Sequence, residues 1–151
     1  MRIVLQRVSR AEVRVDGSAV AAIGPGLVLL VGIEPEDTDE DVDAAVDKIS
    51  NLRVFSDEVG KMNLSIGDVA GAIIVVSQFT LLGDARKGRR PSFTGAASPE
   101  VAGPLIDRMV AGFRQVGIET GTGVFGAAME VEMVNDGPVT LVFSVRNASL
   151  G

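Results

Sequence analysis

Residues 27–33 (LVLLVGI) form an unbroken apolar run. A half-exposed strand alternates apolar and polar positions, whereas a continuous run of this length reads as a strand buried on both faces. Ala72-Ile73-Ile74-Val75-Val76 makes a second such run, the buried part of a long strand expected over residues 71–80. Two doubly buried strands need material on either side of them, and the rest of the chain offers a limited stock. Residues 2–8 alternate as a strand. Residues 10–15 (RAEVRV) and 18–23 (SAVAAI) flank Asp16-Gly17, a hairpin signal because that pair accepts positive φ. Residues 127–134 (AAMEVEMV) alternate cleanly, and 139–145 (VTLVFSV) read as a strand returning beside them.

Two segments carry helical signals. Thr38 is placed to cap a helix whose first turn is acidic, and Val42, Ala45, Val46, Ile49 and Leu52 give it an apolar stripe at 3.6 spacing. Ser98-Pro99 opens a second helix reaching about Val116, since proline is favoured at the first helical position. Residues 53–70 read as short strands and turns. The expected architecture is α+β: a single domain over residues 1–151, with a mainly antiparallel, barrel-like sheet and two helices packed on it.

Composition limits the chemistry. The 151 residues include no cysteine and no histidine. Ser-His-Asp and Cys-His catalysis, thiolate nucleophiles and zinc sites built on Cys or His are therefore excluded. A general base has to be a carboxylate, a lysine, water or part of the substrate. No cofactor or metal is expected. The segment Met1 to Arg7 does not read as a signal peptide, and no stretch approaches the roughly 20 apolar residues of a membrane helix; a cytoplasmic location is the expectation. The net charge is −6, which repels polyanions at long range. The charge is uneven, however. Residues 34–47 hold eight of the 20 acids and residues 86–90 (RKGRR) four of the 14 bases, so a local basic loop remains available to phosphates.

Two motifs fail on context. Gly121-Thr122-Gly123-Val124-Phe125-Gly126 spells a dinucleotide fingerprint, but a strand pattern follows where a helix is required. Residues 83–90 approximate a phosphate-binding loop but end in Arg89-Arg90 where Lys-Ser/Thr is needed. The acids at 36–43 lack calcium-loop spacing and read as a solvated helix start.

Three segments remain. Ser77-Gln78-Phe79-Thr80 ends the second apolar run. Backbone N–H groups leave the ladder at a strand end and can form an oxyanion hole; alternatively the hydroxyls simply satisfy local backbone. Asn135-Asp136-Gly137-Pro138-Val139-Thr140 reads either as a hairpin turn or as a place where a cis Gly-Pro bond turns two carbonyls to one side, as a receptor for an ammonium group. Arg86-Lys87-Gly88-Arg89-Arg90-Pro91-Ser92-Phe93 reads either as a solvated loop or as a phosphate-contacting one.

Together these segments resemble the D-aminoacyl-tRNA deacylase family, which carries Ser-Gln-Phe-Thr and Asn-x-Gly-Pro-Val-Thr segments. The resemblance extends over nearly the whole chain, through Gln6-Arg7-Val8, Gly60 to Ser65, Arg86 to Phe93 and Gly123 to Gly126. Leu82-Gly83 departs from it, since relatives often carry an aromatic and a small residue there. The resemblance implies a homodimer with two sites at the interface, acting on the aminoacylated 3′ end of tRNA. It implies catalysis around Ser77, Gln78, Phe79 and Thr80, and a cis Gly137-Pro138 that excludes L side chains from the partner's site while admitting glycine. Arg7 would brace that element, Phe125 and Met129 would line the pocket, and Arg86, Lys87, Arg89 and Arg90 would contact tRNA. A substrate hydroxyl beside the ester would assist water; Thr80 as a covalent nucleophile is the rival.

Overall fold

The computed structural model describes residues 1–151. Its spine is β1 (Arg2–Val15), an unusually long strand that serves several partners. Strand β2 (Ser18–Ile23) folds back on the far half of β1 through the Asp16-Gly17 turn, where both residues have positive φ. Strand β3 (Gly26–Gly32) lies antiparallel to the near half of β1. Helix α1 (Asp39–Asn51) follows, then the small hairpin β4 (Phe55–Ser56) and β5 (Met62–Leu64). Strand β6 (Ala72–Ser77) lies parallel to β3 and leads into a 3-10 turn over Phe79–Leu82. Helix α2 (Pro99–Gln115), β7 (Glu119–Thr122), β8 (Glu130–Arg146) and β9 (Ser149–Leu150) complete the chain. The main sheet runs β7-β6-β3-β1-β8-β9, with β2 attached to β1. It curls so that β2 comes over β7; a Cβ on Gly121 would lie 3.1 Å from the Ala21 Cβ.

The architecture is α+β with two helices, as expected, but the sheet is mixed, because β3–β6 and β6–β7 are parallel. The physical reason lies in the connections. Helix-bearing crossovers join β3 to β6 and β6 to β7, and such crossovers return a strand in the same direction. A second difference concerns residues 127–145. They do not form a hairpin. Residues 130–134 and 140–144 belong to one strand, both portions pairing with β1, with a break in register around Val8. The long β1 supplies partners for both portions, so Gly137 and Pro138 bulge out of a continuous strand instead of reversing it. The strand ending at Thr80 is also shorter than expected, stopping at Ser77.

Both helices pack on one face of the sheet. Helix α1 begins with a capping box: Thr38 Oγ1 accepts from the Asp41 N–H (3.3 Å), and the Asp41 carboxylate accepts from the Thr38 N–H (2.9 Å). Asp41 also accepts from the Ala148 N–H at 2.7 Å, tying the helix start to the chain end. Burial pushes the Asp41 carboxyl up, but the Ala148 and Thr38 donors outweigh it and hold it below the usual range. Arg108 of α2 grips Asp43 (2.8 and 2.7 Å) and Asp39 (3.1 Å) of α1. Beneath the helices lies a core of 24 buried residues that includes Ile3, Leu5, Leu29, Val75, Ile49, Met109 and Phe113. A smaller cluster of six, Val8, Ala11, Val13, Val28, Ile74 and Val76, occupies the inside of the curl. The apolar runs of β3 and β6 divide between these two clusters, residue by residue, as alternating side chains require. No helix is long and apolar enough to cross a membrane.

Candidate active site

The site is built where β6 ends. The Gln78 N–H makes the last bond to β3, donating to the Val31 carbonyl at 2.7 Å. The chain then tightens. Leu81 N–H donates to Gln78 O (3.2 Å) and Gly83 N–H to Thr80 O (3.0 Å), while Leu82 turns inward and is buried. A helical turn leaves its first amides without acceptors inside it, so Phe79 and Thr80 open the turn with donors available to a ligand. Thr80 Oγ1 accepts from the Gln78 side-chain amide, which leaves its hydroxyl proton free to be donated elsewhere.

Beside this turn is a largely apolar hollow of about 530 Å³ lined by Ser77, Gln78, Phe79, Phe93, Phe125 and Met129, among others. Phe79 is 55 % exposed and meets Phe93 edge-to-face, with ring centroids 5.1 Å apart. Phe125 and Met129 come from the β7–β8 loop. Met129 packs directly against Gly123; a Cβ there would overlap its sulfur and the side chain would have to shift. Ser77, Gln78, Phe79, Phe125 and Met129, expected from the sequence to share one site, all line this hollow. Phe93 also lines it, as do Ala96 and Ala97 just before α2 and Pro99 at its start, none of them expected from the sequence. The Ser98-Pro99 helix start was the available signal for the last three.

Thr80 sits in the adjoining turn but does not line the hollow. Gly137 and Pro138 do not line it either. They are exposed on the β8 bulge, opposite Arg7, and their peptide bond is cis. Gly137 has φ +125°, and a Cβ on it would meet Val139 Cγ2 at 2.8 Å and an Arg7 nitrogen at 3.0 Å. Asn135 spans the bulge, accepting from the Val139 N–H (3.2 Å) and donating to Thr140 Oγ1 (2.8 Å). The Arg7 guanidinium is buried. It donates to the Val54 carbonyl at 2.7 Å and to the Asp136 carbonyl at 3.2 Å, one residue before Gly137. Within one chain the bulge is far from Thr80. Ser77 aligns through Val31 with Ile3, and Arg7 lies four residues further along β1, about 13 Å at strand rise, with three strand spacings to cross as well.

The basic loop is pinned at its base. Asp84 and Ser92 exchange backbone bonds (2.7 and 2.8 Å). Arg86 forks on the Asp84 carboxylate at 2.9 and 2.6 Å and holds that carboxyl below its usual range. Lys87, Arg89 and Arg90 are exposed and enter no ion pair.

The chain has known relatives. Residues 4–144 match the family model for D-Tyr-tRNA(Tyr) deacylase. A D-aminoacyl-tRNA deacylase of Chloroflexus aurantiacus is 58 % identical over 94 % of this chain and 89 % of its own length. One of Anaeromyxobacter dehalogenans is 53 % identical over 97 % of this chain and 98 % of its own. Among solved structures, the c-Myc DNA Unwinding Element Binding Protein superposes with a TM-score of 0.89 at 41 % identity, covering 95 % of this chain and 98 % of that one. A probable eukaryotic D-amino acid tRNA deacylase reaches 0.83 at 20 % identity, a likeness of fold, over 94 % and 97 % of the two chains. The chain belongs to the D-aminoacyl-tRNA deacylase family.

Proposed function

We propose that this protein hydrolyses the ester joining a D-amino acid, or glycine, to the terminal adenosine of tRNA, in the cytoplasm, and spares L-amino acids. The observation that carries this reading is the 3-10 turn at Phe79 and Thr80, with amides available at its start, set against an apolar hollow of nucleoside-accommodating size. Water adds to the ester carbonyl; the amides around Phe79 and Thr80 stabilise the oxygen that gains charge. The ribose oxygen then leaves with a proton, giving free amino acid and tRNA. With no histidine in the chain, the hydroxyl neighbouring the ester on the ribose is the group that assists water. Thr80 positions the substrate. The rival step, attack by the Thr80 hydroxyl itself, has no base beside it except the Gln78 amide, which is not one.

The exclusion of L-amino acids is assigned to Gly137 and Pro138 acting across a homodimer. Their exposure on a bulge remote from the Thr80 turn of their own chain supports the reading that a second copy supplies its bulge to this site. Their carbonyls would hold the substrate α-ammonium and leave no space for an L side chain; glycine has none to exclude. Lys87, Arg89 and Arg90 contact the tRNA backbone, and Arg86, forked on Asp84, shapes the loop that presents them.

The test is release of free amino acid from tRNA charged with D-tyrosine, L-tyrosine or glycine. Release from the D- and glycyl-tRNAs, with the L-form spared, is expected. Equal release of D and L would leave an ester hydrolase without the proposed filter. Loss of all activity in a folded Thr80→Val variant would favour the nucleophile over the positioning role.

A further inference from the structure

A second, polar hollow of about 660 Å³ lies behind the first, lined by Arg2, Glu34, Asp84 and Arg86, among others. The two share a wall. Phe79, Phe93 and Ala96 face the apolar hollow, while Leu82, Gly83, Thr94 and Gly95 face the polar one. A Cβ on Gly83 would lie 2.9 Å from the Phe93 ring, so the segments that make this wall are in contact.

The charges of the polar hollow are unequally engaged. Its acids already have partners. Glu34 accepts from Arg146 at 3.2 Å and from the Met1 ammonium at 3.3 Å. Burial pushes the Glu34 carboxyl up, but those cations outweigh it and keep it ionised. Asp84 is taken up by Arg86. Arg2 is different. Its guanidinium makes no ion pair, even with Glu34 in the same hollow, and its one hydrogen bond is a long 3.5 Å contact to the Leu81 carbonyl, next to Thr80. The backbone N–H groups of Ala85, Thr94 and Gly95 also find no acceptor in the chain. Here is a surplus of donors, one of them charged, on the far side of the wall from the apolar hollow.

We propose that Arg2 binds a phosphodiester of the substrate: an RNA strand whose terminal nucleoside occupies the apolar hollow would set a backbone phosphate in the polar one, against Arg2. This rests on the deacylase reading, because that reading places the RNA end in the first hollow. It adds a contact outside the 86–90 loop, from the other end of the sequence. A guanidinium with unengaged donors suits a phosphate oxygen pair.

The test compares two substrates in wild type, Arg2→Gln and Arg2→Lys: D-aminoacyl-tRNA and the phosphate-free ester D-aminoacyl-adenosine. Arg2 is exposed, and thermal unfolding confirms that each variant folds. For Arg2→Gln on the tRNA substrate, KM should rise about five- to tenfold with little change in kcat, as for loss of a charge-assisted bond. The dependence of kcat/KM on salt should also become shallower, by roughly 0.7 in log-log slope. Neither should change on D-aminoacyl-adenosine, and Arg2→Lys should recover most of the loss. Equal losses on both substrates would assign Arg2 to support of the Thr80 turn through Leu81 and overturn the proposal. Affinity for a short uncharged RNA with the tRNA acceptor end reads Arg2 without turnover. If Arg2→Gln binds that RNA as tightly as wild type, the proposal fails whether or not the ester is cut. If wild type binds it but releases no amino acid from D-aminoacyl-tRNA, the deacylase reading alone fails.

Discussion

Two adjacent rows of side chains cross the sheet on opposite faces. On the helix side, Leu141, Leu5, Leu29 and Val75 lie in register; the last three are fully buried and Leu141 is half-buried. On the other side, Val142, Val4, Leu30 and Val76 lie in register one residue along. Val142 is 67 % exposed, Val4 and Leu30 are half-buried and Val76 is buried. Both rows are equally apolar, yet only one is covered by the chain's own helices. The helix face carries the stability of the fold. The open face leads from the apolar hollow near Val76 to the outer strand β8, and the proposed function uses what the fold leaves uncovered there.

The sharpest way to break this contrast is to cut into the covered face. Phe113 of α2 is fully buried in the larger core, and Phe113→Ala should cost about 3–5 kcal/mol in denaturant unfolding. A loss below about 1 kcal/mol would mean that the helix face is not the main core. Arg7→Met comes next. It leaves the carbonyls of Val54 and Asp136 without their donor, at a cost of about 1–3 kcal/mol. Because Asp136 precedes Gly137, discrimination between D- and L-aminoacyl-tRNA should fall further than the rate on D-substrate. A parallel drop in both would reduce Arg7 to a structural role.

Asp41→Asn tests the edge of the covered face, with an expected loss of about 1 kcal/mol at neutral pH from weakening the bonds that the carboxylate accepts. The Asp41 carboxyl is held below its ordinary value in the folded chain. Its contribution is therefore present above the unfolded value and is lost as pH falls through the lower folded one. The gap between wild type and Asp41→Asn should narrow in acid. A gap that widens there would contradict the assigned direction.

What the sequence made legible follows the same division. The covered face was readable because its signals are local: Thr38 and Ser98-Pro99 start helices where expected, and the apolar runs of β3 and β6 lie where they were placed. The residues of the apolar hollow were legible in part, through the polar break at Ser77-Gln78 and through resemblance. The failures were questions of partnership. Whether residues 139–145 pair with 127–134 or with β1 depends on the length of β1, which no local pattern within 127–145 encodes. The parallel pairing of β6 likewise depends on its crossovers. Phe93 enters the hollow only because Asp84 and Ser92 close the intervening loop.

The smallest expected effect on a single chain is the most informative about the open face. Val142→Lys places a charge at its most exposed apolar position in β8, where a valine gains little from its own chain. Unfolding measured on separated chains should change by no more than about 0.5 kcal/mol. If a second copy covers this face in the proposed homodimer, the lysine has to be desolvated on association. Sedimentation should then show a shift toward monomer, and deacylation should fall with it, since each site would lose the Gly137-Pro138 bulge supplied by the other chain. An unchanged oligomeric state with full activity would mean that Val142 stays solvated, and the bulge would then have to reach a Thr80 turn by an assembly that leaves this row open.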